Sequence, residues 1–114
     1  MHVIKLDDVV TVQVRIQEAA SYRLDEIYRY TRDRWGTQQV DRYITGLFKA
    51  FDGIENHQTA SRPIPAEFGI DGYFFRYEQH FVHWRRLSNN DIGIVTILHT
   101  RMHQTDRFKA EFGL

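Results

Sequence analysis

Seven apolar residues between Val40 and Ile54 constrain this chain more than anything else in it. Val40, Tyr43, Ile44, Leu47, Phe48, Phe51 and Ile54 fall at i, i+3, i+4, i+7, i+8, i+11 and i+14, the spacing of one face of an α-helix. Such a stripe is too wide and too greasy to stay in water. It needs a second layer to cover it, so a single amphipathic helix already implies a layered fold.

The neighbouring residues supply a partner helix. Ala20, Leu24, Ile27, Tyr28, Thr31 and Trp35 share one face, while Arg23, Asp25, Glu26, Arg29, Arg32 and Asp33 fall largely elsewhere. Gly36 stands where a helix C-cap favours a positive φ, and Thr37 is placed to cap the second helix. Trp35 is expected in the core, closing the corner of an antiparallel helical hairpin.

Around the hairpin the period changes from helical to two. Val12, Val14 and Ile16 alternate within residues 11–17, predicting a half-buried strand. Residues 57–72 hold both prolines and two of the seven glycines, and read as a loop with one turn inside it. Three strand-like runs follow, Tyr73 to Glu78, Phe81 to Leu87 and Ile92 to His99. They are separated by Gln79-His80 and by Ser88-Asn89-Asn90-Asp91. Separators this short favour an antiparallel meander over crossovers. The polar tail from Arg101, with Phe108 and Phe112 spaced along it, is compatible with a short terminal helix.

The expected fold is therefore α+β, a two-helix antiparallel hairpin on a small, mainly antiparallel sheet, in the order β-α-α-β-β-β. Residues 1–114 form one domain, with 1–10 as an N-terminal extension.

Composition narrows the function. Lys plus Arg equals Asp plus Glu, 15 of each, so the formal net charge is zero. A chain that binds nucleic acid by its own surface is usually basic, so neutrality argues against that class. It also leaves a lone domain poorly soluble, which suits a chain that lives in a complex. The absence of Cys excludes disulfides, thiolate catalysis and Cys-based zinc sites. The start, MHVIKLDDVV, lacks the apolar run of a secretion signal, and no segment is long enough to span a membrane. The expected location is the cytoplasm. Aromatic residues make up 14% of the chain, more than so small a core readily hides, which points to a partner-facing surface.

Five short stretches in order resemble the ParE toxins of the RelE/ParE superfamily. They are Leu24-Asp25-Glu26-Ile27-Tyr28-Arg29-Tyr30 with Trp35-Gly36, the helix through Tyr43-Ile44 and Leu47, the Arg62-Pro63 loop, the hairpin start His80-Phe81-Val82, and Ile97-Leu98-His99-Thr100-Arg101-Met102. The similarity covers about residues 12–104. Trp84 stands where the family commonly has Tyr, His103 where Asp is usual, and the N-terminal extension is additional. The resemblance implies the toxin of a type II toxin–antitoxin pair, bound by a ParD-like or similar antitoxin whose disordered tail folds over it. It also implies DNA gyrase as target, whereas RelE-like cousins cut mRNA on the ribosome.

Cutting RNA by 2′-hydroxyl attack needs a general base, a general acid and cations around the phosphate. RelE-type toxins use clustered Lys/Arg and a late Tyr; their YoeB-like relatives use Glu, Arg, His and a terminal Tyr. Here the last Tyr is Tyr77, and Lys109 is the one lysine after the second helix. The best nuclease set is Glu67, Arg76 and His99, with Arg101 as an extra cation. The expected assignment is that this machinery is absent and that no catalytic residue is carried. Metal and cofactor are not expected either: His80 and His83 point to opposite faces of a strand, and His99 and His103 straddle a strand end.

Activity would then come from an interface. The expected anchors for antitoxin or target are Phe81, Trp84, Arg85, Arg86 and Arg101, with the Phe108/Phe112 tail as further apolar surface. The antitoxin segment is expected in a groove between the helical hairpin and the sheet. No contact with membrane or, by the toxin alone, with nucleic acid is expected.

Overall fold

A computed structural model describes residues 12–113; the N-terminal extension, 1–10, and Thr11 lie outside the described residues. The order is β1 (Val14–Ile16), α1 (Glu18–Trp35), α2 (Thr37–Asp52), β2 (Arg62–Pro63), β3 (Tyr73–Tyr77), β4 (His80–Arg86), β5 (Ile92–His99) and α3 (Gln104–Phe112). A single 3-10 turn, Ala66–Phe68, interrupts the loop between β2 and β3. The strands form one sheet in the order β1-β5-β4-β3-β2, with β1 parallel to β5 and every other pair antiparallel. The α+β arrangement read from the sequence is the one observed.

β5 is the axis of the molecule. Every residue from Ile92 to Leu98 is buried, because the sheet is covered on both faces. On the inner face, Ile92, Ile94 and Ile97 join Val82, Phe75 and Trp84 beneath Ala20, Ile27, Leu47 and Phe51 of the helical hairpin. On the outer face, Val95 and Leu98 meet Ile64 and Phe68 of the long loop and Phe108 of α3. Ile94 and Ile97 are three apart yet face the same side. A β-bulge accounts for this: His83 pairs with Thr96 but Trp84 pairs with Ile94, leaving Val95 as the extra residue.

The parallel strand β1 is held at its start by Asp91. Its carboxylate accepts the Gln13 amide at 3.1 Å, the Arg15 guanidinium at 2.8 Å and the Asn89 side-chain amide at 3.0 Å. These donors, the Gln13 amide first, hold the Asp91 carboxyl below its ordinary range.

The hairpin corner departs from expectation. Gly36 has φ 89 and ψ 169, a conformation that side chains disfavour, and its N–H bonds the Arg32 carbonyl at 2.8 Å. The Gly therefore serves its expected purpose. Thr37 opens α2 as a helical residue with no side-chain cap in place. Trp35 is 65% exposed. Trp35 is the last residue of α1, at the rim of the hairpin corner, and neither buried core cluster includes it.

Two other boundaries shift slightly. The β3–β4 turn is Glu78-Gln79, with φ 50 at Glu78, so His80 begins the strand. The tail forms α3, and Phe108 is fully buried. It was expected as partner-facing surface and is instead core. An apolar ring set among polar neighbours reads as exposed until a second sheet face is there to receive it.

Phe108→Ala removes a fully buried ring from the outer core and is expected to cost about 3–5 kcal/mol. Urea denaturation followed by circular dichroism measures it; a loss below about 1 kcal/mol would mean α3 is not part of the cooperative unit.

Candidate functional site

Where the hairpin corner overhangs the sheet, an open groove of about 870 Å³ lies between the ends of α1 and α2 and the ends of β4 and β5. Its floor is apolar, with Ile27 and Ile97, and Tyr43 and Tyr77 form one wall. Tyr77 anchors that wall: its hydroxyl donates to the Tyr43 carbonyl at 3.0 Å and sits against Gly46, where any Cβ would collide with it. The two Tyr rings meet edge to face at 5.1 Å.

A histidine pair closes the far side. His80 and His99 are cross-strand partners with ring centroids 5.2 Å apart. His80 Nδ1 lies 2.6 Å from the Tyr43 hydroxyl, whereas the Tyr77 carbonyl is 3.5 Å away, too far to hold that proton well. The Tyr43 hydroxyl therefore donates to His80. The Arg101 amide donates to His99 Nδ1 at 3.0 Å, so a neutral His99 carries its proton on Nε2. Burial, and then the neighbouring His99, lower the His80 pKa to about 4. Burial, reinforced by Tyr77, pushes the Tyr43 hydroxyl well above its ordinary range.

Four arginines line the groove: Arg23, Arg34, Arg42 and Arg101. Arg23 is occupied, bonding Glu111 through Nε at 2.7 Å and Glu26 through Nη1 at 3.0 Å. Among the described residues the other three have no ion-pair partner. Arg34 lies over the rings of Tyr30 and Trp35 at 5.8 and 5.9 Å.

The residues singled out from the sequence do not form one site. His99 and Arg101 line the groove. Glu67 sits exposed on the 3-10 turn, and Arg76 projects from the outer face, donating to the Glu78 carbonyl at 2.8 Å. Strand alternation explains Arg76, since its neighbours Phe75 and Tyr77 face the helices. The same alternation puts His80 and His83 on opposite faces, as expected. It also separates Phe81 from Trp84, which the sequence reading had grouped together.

Phe81 is half-buried beside Phe74 on the outer face. Trp84 is buried on the inner face, stacked on Tyr73 at 4.7 Å with its indole N–H on Ser61 Oγ at 3.0 Å. Arg85 and Arg86 lie at the opposite end of β4 from the groove, where Arg86 pairs with Glu55 at 2.8 Å. Tyr43, His80, Arg34 and Arg42 were missed. Tyr43 and His80 are 37 positions apart, and no spacing rule joins a helix position to a strand end.

A model of the family described as the ParE toxin of type II toxin–antitoxin systems, parDE, matches residues 14–104. The chain belongs to the ParE toxin family. No curated protein sequence matches it. Membership makes it the toxin of a type II toxin–antitoxin pair and implies a cognate antitoxin. The family match spans the hairpin and the whole sheet, and ends where α3 begins.

Behind the groove, the outer core holds a second unusual group. His83 is 2% exposed among the rings of Phe68, Phe74 and Phe108, and its Nδ1 finds no partner among the described residues. Burial lowers its pKa to about 4. The unfolded chain takes up that proton near pH 6.5, so stability falls as pH drops from there towards 4 and is flat above. For His83 alone the loss between pH 8 and pH 5 is about 2 kcal/mol. His83→Phe is expected to raise the urea midpoint more at pH 5 than at pH 8; an equal rise at both would mean that burial of this imidazole is not the source of acid sensitivity.

Proposed function

We propose that this ParE-family toxin acts by gripping a protein target, DNA gyrase, and is held inactive by its cognate antitoxin. Family membership supports the target, and the groove's chemistry supports a non-enzymatic action. One observation carries the second part: His99 Nδ1 is taken by the Arg101 amide. A ring fixed in that way offers an N–H to the groove and no lone pair to remove a proton from a 2′-hydroxyl.

The neighbouring groups serve no better. His80 is a weak base at neutral pH with its Nδ1 engaged, and Tyr43 holds its proton tightly. General acid–base catalysis works best with groups that titrate near the operating pH. The carboxylate proposed from sequence for a nuclease, Glu67, is not among the groove residues. A ribosome-dependent mRNA interferase is thus the weaker reading.

The absence of a candidate membrane-spanning helix among the described residues is consistent with a cytoplasmic place of action beside gyrase. Exposed Arg76 beside half-buried Phe81, and the exposed Arg85/Arg86 end of β4, are separate regions available for the target.

The test is direct. Purified toxin added to gyrase and relaxed plasmid should abolish supercoiling, and ribosomes programmed with mRNA should yield no new cuts in its presence. In cells, induction should raise the DNA-damage response and cause filamentation before translation falls. Codon-positioned cleavage of the mRNA would reverse this assignment.

A further inference from the structure

The exposed side of α1 carries aromatic rings where an amphipathic helix ordinarily shows polar side chains to water. Tyr22, Tyr28 and Trp35 are 62%, 36% and 65% exposed. Asp25, Arg29 and Arg32 lie between them and are exposed as well. Steps of three and four residues put all six on one broad stripe along the helix. We propose that this stripe joins two copies of the chain, packed antiparallel across a two-fold axis that passes between Tyr28 and Arg29.

The order of residues along the stripe identifies the occupant. Laid against its own reverse about that axis, the stripe matches itself at every step. Tyr22 meets the second copy's Trp35, ring against ring. Asp25 meets the second copy's Arg32, carboxylate against guanidinium. Tyr28 meets the second copy's Arg29, an aromatic face against a cation. A two-fold interface makes each of these contacts twice. The parallel arrangement would instead set Asp25 on Asp25, Arg29 on Arg29 and Arg32 on Arg32, three like-charge contacts.

The charged groups are free to engage. Among the described residues Asp25 and Arg29 have no ion-pair partner. Arg32 bonds Asp33 through Nε at 3.2 Å, an exposed and therefore weak pair, and both its Nη groups remain to donate elsewhere. Its guanidinium already lies over the Tyr28 ring at 5.8 Å, which holds it within the stripe. Zero net charge means that two copies approach without overall repulsion. One helix stripe is a small interface, so the dimer is a weak one. The proposal is independent of gyrase as target and of any contact with antitoxin.

Sedimentation of the full chain tests it. Monomer at about 1 µM should convert to dimer towards about 200 µM, and less readily as salt rises. Asp25→Arg and Arg32→Asp, each changing an exposed residue, should both weaken dimerisation at least about tenfold. Combined in one chain they restore the opposite-charge contact, and affinity should return to within about threefold of the original. Trp35→Ala should weaken it about tenfold.

Orientation has its own readout, because the chain has no cysteine. Under oxidation by copper phenanthroline, Arg29→Cys should cross-link to its copy beside the axis. Asp25→Cys should not, since two such residues lie about 10 Å apart along an antiparallel pair, beyond disulfide reach. A monomer at 200 µM overturns the proposal, as does a double charge reversal no better than either single one. Equal cross-linking at both positions overturns it too. So does a Trp35 that stays open in the free chain at high concentration and is covered only when antitoxin is added, an outcome that gives the stripe to that partner.

Discussion

The burial of β5 on both faces is the constraint from which the rest of this structure follows. A strand apolar on both sides has to be sandwiched, and Ile92–His99 is sandwiched by elements that come from far apart in sequence. The helical hairpin covers one face, while the long loop and α3 cover the other. The bulge at Val95 adjusts the alternation so that Ile94 and Ile97 both reach the helices while Leu98 still reaches Phe108. At the strand's edge, Glu111 of α3 ties the two layers together, bonding Arg23 of α1 and accepting the Thr96 hydroxyl at 2.7 Å. Arg23 stays charged there because Glu111 and Glu26 outweigh the cost of burying it.

The groove forms where the hairpin corner meets the strand ends. Its lining runs from the last turns of α1 and the first turns of α2 to the β3–β4 turn and the end of β5. What lies beneath the overhang is neither core nor open surface. Tyr43 and His80 are dry enough there for burial to set their protonation, yet Arg34, Arg42 and Arg101 around them remain in contact with water. Such a half-dry concavity strengthens each polar contact that a partner makes in it.

Much of the fold was legible because the signals were local. The Val40–Ile54 stripe, the glycine after Trp35 and the polar break at Ser88–Asp91 each act over a few residues, and each produced the element expected of it. The site was less legible. Arg101 and His99 were identified through the family's Leu-His-x-Arg-Met ending, but Tyr43 and His80 meet only through tertiary packing. Phe81 and Trp84 were grouped by proximity in sequence, and the pleat of β4 sends them to opposite faces. Trp35 was assigned to the core by its helical phase alone. Phase says which way a side chain points and nothing about whether a neighbour is there to meet it.

By itself, then, the sequence determined the kinds of element, their order, the antiparallel meander and the family, since periodicity, turn chemistry and short motifs are properties of neighbouring residues. Tertiary structure alone decided that the sheet has two dry faces, that Phe108 is core and Trp35 is not, and that a helix tyrosine meets a strand histidine in a groove lined by Arg34, Arg42 and Arg101. Those outcomes depend on where separate elements end relative to one another in space, and no local rule about a residue and its neighbours contains that distance.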